Sequence, residues 1–278
     1  MIAGSQSIRL KLWNSTEDAL LKYLRAAHFP PTVLVTSLAF LFSRPLFTLT
    51  SSIIIAVTIF TGQLVVGWTN DLIDLESDRR QGRIRKPLAS GELSSSHLQL
   101  AIYADSAICI ALSIFGPLGV RGGSLHLIAV GFGVSYNLYF KNTYLSPIPY
   151  IFAFAALPST PYVALGLMPP PWLAISGGLF GIVAHFANVL KDLEQDRAIG
   201  IRGLPQLLGA KKSIIITTAC LIIISTIIST QRVGLIPWFA TSLPIAVALI
   251  IYRPRKFGFP TIMLLALLDV TLLIWTGH

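Results

Sequence analysis

Long apolar blocks follow one another down this chain, each about as long as a bilayer is thick and separated by short polar breaks. A helix crosses hydrocarbon with roughly 17–25 predominantly apolar residues. Nine blocks fit that length: 26–42, 47–68, 97–117, 124–140, 147–167, 172–190, 213–230, 235–252 and 258–276. The pattern therefore predicts an all-α, polytopic membrane bundle of about nine transmembrane helices, forming one domain over residues 1–278. Pro158 and Pro161 lie inside the fifth block and are expected to kink it.

Composition agrees with the pattern. Hydrophobic residues make up 54% of the 278 and charged residues only 12%, which suits a membrane protein better than a soluble domain. The net charge of +9 needs another explanation than nucleic acid, because no basic stripe is interleaved with exposed aromatics. Topology supplies it. Of the 21 Lys and Arg, only Arg44, Arg121 and Arg232 fall in the odd-numbered loops. The positive-inside rule then puts the N-terminus and the even loops in the cytoplasm. No short hydrophobic region with a small-residue cleavage site opens the chain, so no removable signal peptide is expected. Cys109 and Cys220 sit inside apolar blocks, with neither metal-binding nor disulfide-framework spacing.

The acidic residues are the informative exception to the apolar pattern. Seven of the 12 lie in NDLIDLESD (70–78) and KDLEQD (191–196), at the ends of the second and sixth blocks. Four spans separate the two, an even number, so both clusters share one side of the membrane and are expected as two Asp-rich loops on the cytoplasmic side. If the second helix continues, Asp71, Asp74 and Asp78 share a face, with Asn70 beside them. Asp192 and Asp196 are spaced i, i+4. Extending the sixth helix backward adds Asn188 and His185 as a polar stripe.

Like charges at such spacings repel without a cation. An all-oxygen donor set suits a hard cation, and Mg²⁺ commonly bridges one or two carboxylates to substrate phosphates. Two facing clusters would hold Mg²⁺ around one diphosphate. Arg83, Arg85 and Lys86 follow the first cluster, Arg197 and Arg202 the second, and Lys141 closes the fourth span. Such cations bind phosphate oxygens. Asp105 and Asp269 are isolated carboxylates within spans and are not assigned to this chemistry.

With these residues in view the sequence resembles the UbiA family of membrane prenyltransferases, nearest to bacterial and in particular actinobacterial members. Asn70, Asp71, Asp74 and Asp78 match its first motif, NDxxDxxxD, and Asp192 and Asp196 its second, DxxxD. KPLASG (86–91), the tyrosine-lysine stretch at 136–141 and GLP (203–205) add to the likeness. Many members carry arginine where this chain has Lys86, and threonine where it has Gly203.

The resemblance implies Mg²⁺-dependent transfer of a prenyl group from a prenyl diphosphate to an acceptor, usually aromatic, as in quinone and related isoprenoid biosynthesis. It implies Asn70, Asp71, Asp74, Asp78, Asp192 and Asp196 as metal ligands, with Asp71, Asp74 and Asp192 central to catalysis. Arg83, Lys86, Lys141 and Arg202 would bind diphosphate. His28, Tyr136, Tyr139, His185 and Asn188 are candidates for the substrate pocket. Trp68, Tyr136, Tyr139 and Phe140 are candidates to face an allylic cation. The expected partners are the prenyl diphosphate, an acceptor and the bilayer of a bacterial cell membrane. Alternatives are a terpene cyclase, a lipid-ether or tetrapyrrole prenyltransferase, and a divalent-cation or solute transporter. A transporter would carry its ionisable groups near the midplane, whereas these cluster at one interface.

Overall fold

The computed structural model describes residues 20–231, and every regular element among them is a helix. α1 (Leu20–Ala26) leads into α2 (Phe29–Ser43), α3 (Leu49–Arg80), the single turn α4 (Pro87–Ser90), α5 (Ser95–Phe115) and α6 (Gly119–Leu138). After a 3-10 turn (Phe140–Asn142) come α7 (Pro147–Ala164), α8 (Pro171–Leu190), the short α9 (Leu193–Ala198) and α10 (Leu204–Gln231). Seven of the nine anticipated spans correspond to α2, α3, α5, α6, α7, α8 and α10. The spans read at 235–252 and 258–276, with Arg232 and Asp269, lie outside the described residues.

Among the described residues four helices, α3, α5, α8 and α10 as far as Ile228, are long and apolar enough to cross a membrane. α1 and α2, bent by 82° at their junction, make a fifth if counted together. The chain is an integral membrane protein. α6 and α7 fall short on apolarity rather than length, because α6 carries Arg121, His126 and Asn137 and α7 carries four prolines.

Helix α3 lies at the centre of the first half, packed against α2, α5 and α6, while α7, α8 and α10 continue the bundle side by side. Leu64, Trp68, Leu88 and Leu98 form one core between α3, α4 and α5. Phe180, Val183, Leu221, Ile224 and Ile228 form another between α8 and α10. The α7–α8 contact is made by backbone. Pro158 removes the amide that would bond the Phe154 carbonyl, and that carbonyl lies 2.5 Å from where a Cβ on Gly177 would stand. Gly181 meets the Tyr150 carbonyl in the same way. Small residues allow this close approach, as is common between helices in lipid. Both prolines sit inside a helix that continues through them.

Three departures from the expected layout bear on the site. The first span does not begin smoothly at residue 26, because the chain turns at Ala27–His28, with His28 left-handed (φ 53°, ψ 59°). Pro30 and Pro31, in the first turn of α2, favour a helix start there. Next, the first acidic cluster is on no loop. α3 runs unbroken for 32 residues and carries NDLIDLESD on its final turns. Last, the polar stripe drawn back from Asp192 is broken. α8 stops at Leu190, and Asp192 (φ −117°, ψ 11°) stands just before the separate helix α9 without a capping side-chain hydrogen bond. A further break occurs at Gly209 (φ 81°), within α10.

Candidate metal and anion site

The helical spacing of the first cluster puts Asp71, Asp74 and Asp78 on one face of α3, and two lysines from outside that helix reach onto it. Lys86 Nζ lies 2.8 Å from Asp71 Oδ1 and 2.7 Å from Asp78 Oδ2. Lys141, from the 3-10 turn after α6, donates to both oxygens of Asp74 at 2.7 and 2.6 Å. Arg83 Nη1 approaches Asp78 Oδ1 at 3.4 Å. Asp71 and Asp78 are each only 2% exposed, so these charges are removed from water. A buried charge costs several kcal/mol unless a partner offsets it, and Lys86 stands against two.

The position of Lys86 follows from local structure. Gly82 adopts φ 63°, which turns the chain back after α3. Pro87 then starts α4, and Leu88 is buried against Leu98 and Trp68. Burial alone would depress the Lys86 pKa. The Asp71 and Asp78 carboxylates outweigh that and hold it above the usual lysine value.

Asp71 is the unusual member. Its Oδ1 is met by Lys86 and, farther off, by His28, whereas its buried Oδ2 has no hydrogen-bond or ion-pair partner among the described residues. An unpartnered buried carboxylate oxygen asks for a ligand. Among the described residues no three His, Cys, Asp or Glu side chains converge into a metal cage. The unpartnered oxygen within an all-oxygen donor set fits Mg²⁺ in its common role, held by few carboxylates and completed by water and substrate phosphates. Asp71, Asp74 and Asp78, with the Asn70 oxygen, are the residues that would hold it on this side.

The second cluster faces the same region. Asp196 accepts from Gln206 Nε2 at 2.9 Å. Burial raises its pKa against that hydrogen bond, and nearby Asp192 raises it further, while Lys141 and Arg83 act in the opposite sense. Lys141 and Arg83, partners of the first cluster, are thus close enough to act on the second. Tyr136 likewise lies within electrostatic reach of both Asp74 and Asp196. Arg197 does not face the first cluster: its guanidinium Nε donates 2.8 Å to the Gln206 carbonyl, and Nη2 donates to the same oxygen. That clasp fixes α9 to the start of α10.

Further residues anticipated for the site divide into two groups. His28 is brought to it, with Nε2 3.1 Å from Asn70 Oδ1 and 3.5 Å from Asp71 Oδ1. His185, 1% exposed, shares a hydrogen bond of 3.0 Å with Ser146 Oγ, which also accepts the Leu204 amide. It packs beside Tyr136 and Tyr150 and joins α8 to the segments around it. Tyr139 is 72% exposed beyond the end of α6. Asn188 and Arg202 are also exposed, and Arg202 has no ion pair among the described residues. Trp68 belongs to the core, its indole N–H bonded 2.8 Å to the Tyr23 carbonyl.

The sequence reading missed Asn137, Ser146 and Gln206. Asn137 stands four residues before Lys141 within an apolar helix, and that placement was the available signal. The glycine at 203 also acquires a reason. A Cβ there would lie 2.9 Å from the Lys141 carbonyl and 2.6 Å from Gln206 Oε1, so the departure from threonine matches a tight local packing.

Comparisons with known proteins bear on the fold and the family. No curated protein matches the chain. A UbiA homologue from Archaeoglobus fulgidus, solved with GPP and Mg²⁺, superposes with a TM-score of 0.70 at 16% identity, covering 92% of this chain and 99% of that one. One from Aeropyrum pernix K1 gives 0.63 at 19% identity, over 87% and 95%. A structure described as digeranylgeranylglyceryl phosphate synthase gives 0.65 at 17%, over 93% and 96%. At these identities the likeness speaks for the fold. The family profile goes further: the UbiA prenyltransferase family matches residues 29–257, most of the chain, and this protein belongs to that family.

Proposed function

We propose that this protein is an Mg²⁺-dependent intramembrane prenyltransferase that moves a prenyl group from a prenyl diphosphate to an acceptor. The observation that carries the reading is a buried, under-satisfied Asp71 on the same helix face as Asp74 and Asp78, whose partners Lys141 and Arg83 also bear on Asp196 of the opposite motif. A diphosphate seated between the motifs meets Lys86, Lys141 and Arg83, each already within reach of a carboxylate. Ammonium and guanidinium groups bind phosphate oxygens as readily as carboxylates. The lysines can therefore transfer from aspartate to phosphate as the donor arrives. Mg²⁺, when held by the aspartates, would supply positive charge to the departing diphosphate. The site lies at the end of α3, so a prenyl chain directed into the bundle from there would meet the apolar surroundings that keep water from an allylic cation.

The solved UbiA homologues with GPP or DMAPP and Mg²⁺ support a prenyl diphosphate as donor. We take the acceptor to be aromatic and the motifs to face the cytoplasm of a bacterial cell. The likeness to digeranylgeranylglyceryl phosphate synthase supports a second reading, an alcohol acceptor yielding a lipid ether. The test is Mg²⁺-dependent diphosphate release by the purified protein in lipid. Donors of graded length are offered with aromatic and alcohol acceptors, beside Asp71→Ala. Release that requires Mg²⁺ and Asp71 and gives a prenylated product supports the proposal. Release without acceptor indicates cyclase or hydrolytic chemistry, and absence of both release and Mg²⁺-dependent donor binding refutes it.

A further inference from the structure

Gln63 is a polar side chain in the apolar middle of α3, and neither the sequence motifs nor the diphosphate chemistry uses it. It is half-buried, and its amide has no hydrogen-bond partner among the described residues. An unpaired amide facing hydrocarbon is costly. Polar side chains inside spans therefore turn to a bundle interior or a cavity, and they mark functional sites.

Helical spacing shows where Gln63 turns. Residues i+3, i+4 and i+7 share a face with residue i, and here they are Val66, Gly67 and Asn70. Val66 meets α6, since a Cβ on Gly133 would lie 2.7 Å from Val66 Cγ2. Gly67 meets the entry to α2, where its own Cβ would lie 2.6 Å from the Ala27 carbonyl. Asn70 touches both sides: Nδ2 donates 3.0 Å to Asn137 Oδ1 of α6, and Oδ1 lies 3.1 Å from His28 Nε2. Gln63 thus opens onto the groove between α2 and α6, deeper than Asn70. One turn deeper still the groove has an apolar floor. Ile59, 3% exposed, belongs to a buried cluster with Ala39 of α2 and Leu118 at the start of α6, and Leu157 of α7 packs against it.

Seven residues of helix rise by about 10 Å. With the diphosphate at the Asn70–Asp78 end, the depth from Asn70 to Gln63 suits one ring or a short headgroup. A prenyl tail is wholly hydrocarbon and gains nothing from an amide. We propose that Gln63 hydrogen-bonds a neutral oxygen substituent of the prenyl acceptor, distal to the atom that takes the prenyl group, and so determines acceptor specificity. This rests on the transferase reading above. An amide both donates and accepts, which fits a hydroxyl or carbonyl oxygen. α3 carries no cation between Ile59 and Asn70, which favours a neutral oxygen over a carboxylate. Aromatic and lipid-alcohol acceptors can both supply such an oxygen. A site built to bond it rejects the analogue without it, because the amide is then left unpaired.

The first measurement needs no turnover. The full chain is labelled with ¹⁵N-glutamine in lipid nanodiscs and loaded with Mg²⁺ and a non-hydrolysable prenyl diphosphate analogue. The Gln63 side-chain signal is identified by its loss in Gln63→Met. Two probe pairs are then added, hydroquinone against 4-methylphenol and a monoacylglycerol against its monodeoxy analogue. Each pair keeps one hydroxyl and differs in the second oxygen. The Gln63 signal should move with the oxygen-bearing member of one pair and not with its partner. A signal that responds to neither oxygen-bearing probe, or equally to both members of a pair, overturns the proposal. The second measurement takes the ratio between members of the responding pair, as kcat/KM where they turn over and as Kd by calorimetry where they only bind. Gln63→Met should reduce that ratio about tenfold or more relative to wild type, through acceptor KM, with affinity for the donor analogue unchanged. Comparing the two proteins cancels the intrinsic reactivity of each probe. An unchanged ratio overturns the acceptor role and leaves the diphosphate site standing. A wild type without Mg²⁺-dependent donor binding defeats the transferase reading, and the acceptor role with it.

Discussion

Removing the Lys86 ammonium should expose how much of the site's stability rests on a single cation. Lys86 lies 2.8 Å from Asp71 and 2.7 Å from Asp78, both 2% exposed, and is itself 19% exposed. In Lys86→Met the stem still packs, but two buried carboxylates lose their nearest positive charge. His28 at 3.5 Å and Arg83 at 3.4 Å offer only weaker compensation. Breaking a buried pair by deleting one partner costs about 3–5 kcal/mol. At roughly 2–4 °C per kcal/mol for a chain of this size, the melting temperature in EDTA should fall by about 6–20 °C. Mg²⁺ with a non-hydrolysable prenyl diphosphate analogue binds only the folded site, and should recover most of that loss by mass action. The assay is thermal unfolding in detergent or nanodiscs, with and without those ligands. Adding Asp78→Asn to Lys86→Met should restore part of the stability, because the uncompensated charge is then gone. A Lys86→Met protein that melts within about 2 °C of wild type in EDTA, below the range expected for a broken buried pair, would refute the reasoning.

Further outcomes follow from the same geometry. Gly203→Ala should destabilise by about 1–3 kcal/mol, as overpacking does, because the new methyl meets the Lys141 carbonyl; donor affinity should drop with it, and calorimetry with thermal melts reads both. Asp196→Asn should stabilise the protein at neutral pH. The folded pKa of Asp196 is raised by burial and by Asp192, so the stability that its protonated form confers is present at low pH and lost as pH rises through that value. The melting temperatures of wild type and variant should converge below about pH 4, near the unfolded carboxylate pKa, and parallel curves from pH 3 to 7 would contradict this. Asp71→Asn should abolish Mg²⁺-dependent donor binding and leave the helical circular dichroism signal unchanged.

How far the sequence could be read depended on whether the cause was local. The spacing of Asp71, Asp74 and Asp78 implied a shared helical face, and α3 carries them that way because nothing between Leu49 and Arg80 interrupts it. At Asp192 the same rule failed. No proline or glycine marks the end of α8 at Leu190, so the break left no local signature. The turn at His28 was half legible. Pro30 and Pro31 announce a helix start, but the left-handed histidine depends on Gly67 and Thr32 packing around Ala27, which are tertiary facts. The basic residues show the same division. That Lys86 and Lys141 stand near the acidic motifs was readable from their order along the chain. Which aspartate each one meets was not, since those contacts depend on the turns at Gly82 and after Leu138.

The glycine seam between α7 and α8 constrains the route of the hydrocarbon tail. Where Gly177 and Gly181 meet the carbonyls of Phe154 and Tyr150, there is no room for even one methyl group. A polyprenyl chain cannot thread between those two helices, and no widening of side chains along the seam can act as a gauge of product length. Substituting leucine at Gly181 should pry the helices apart and cost the fold rather than yield a shorter product. Control of prenyl length therefore belongs to helix pairs whose separation is set by side chains, where trimming or enlarging one residue alters depth without moving a backbone.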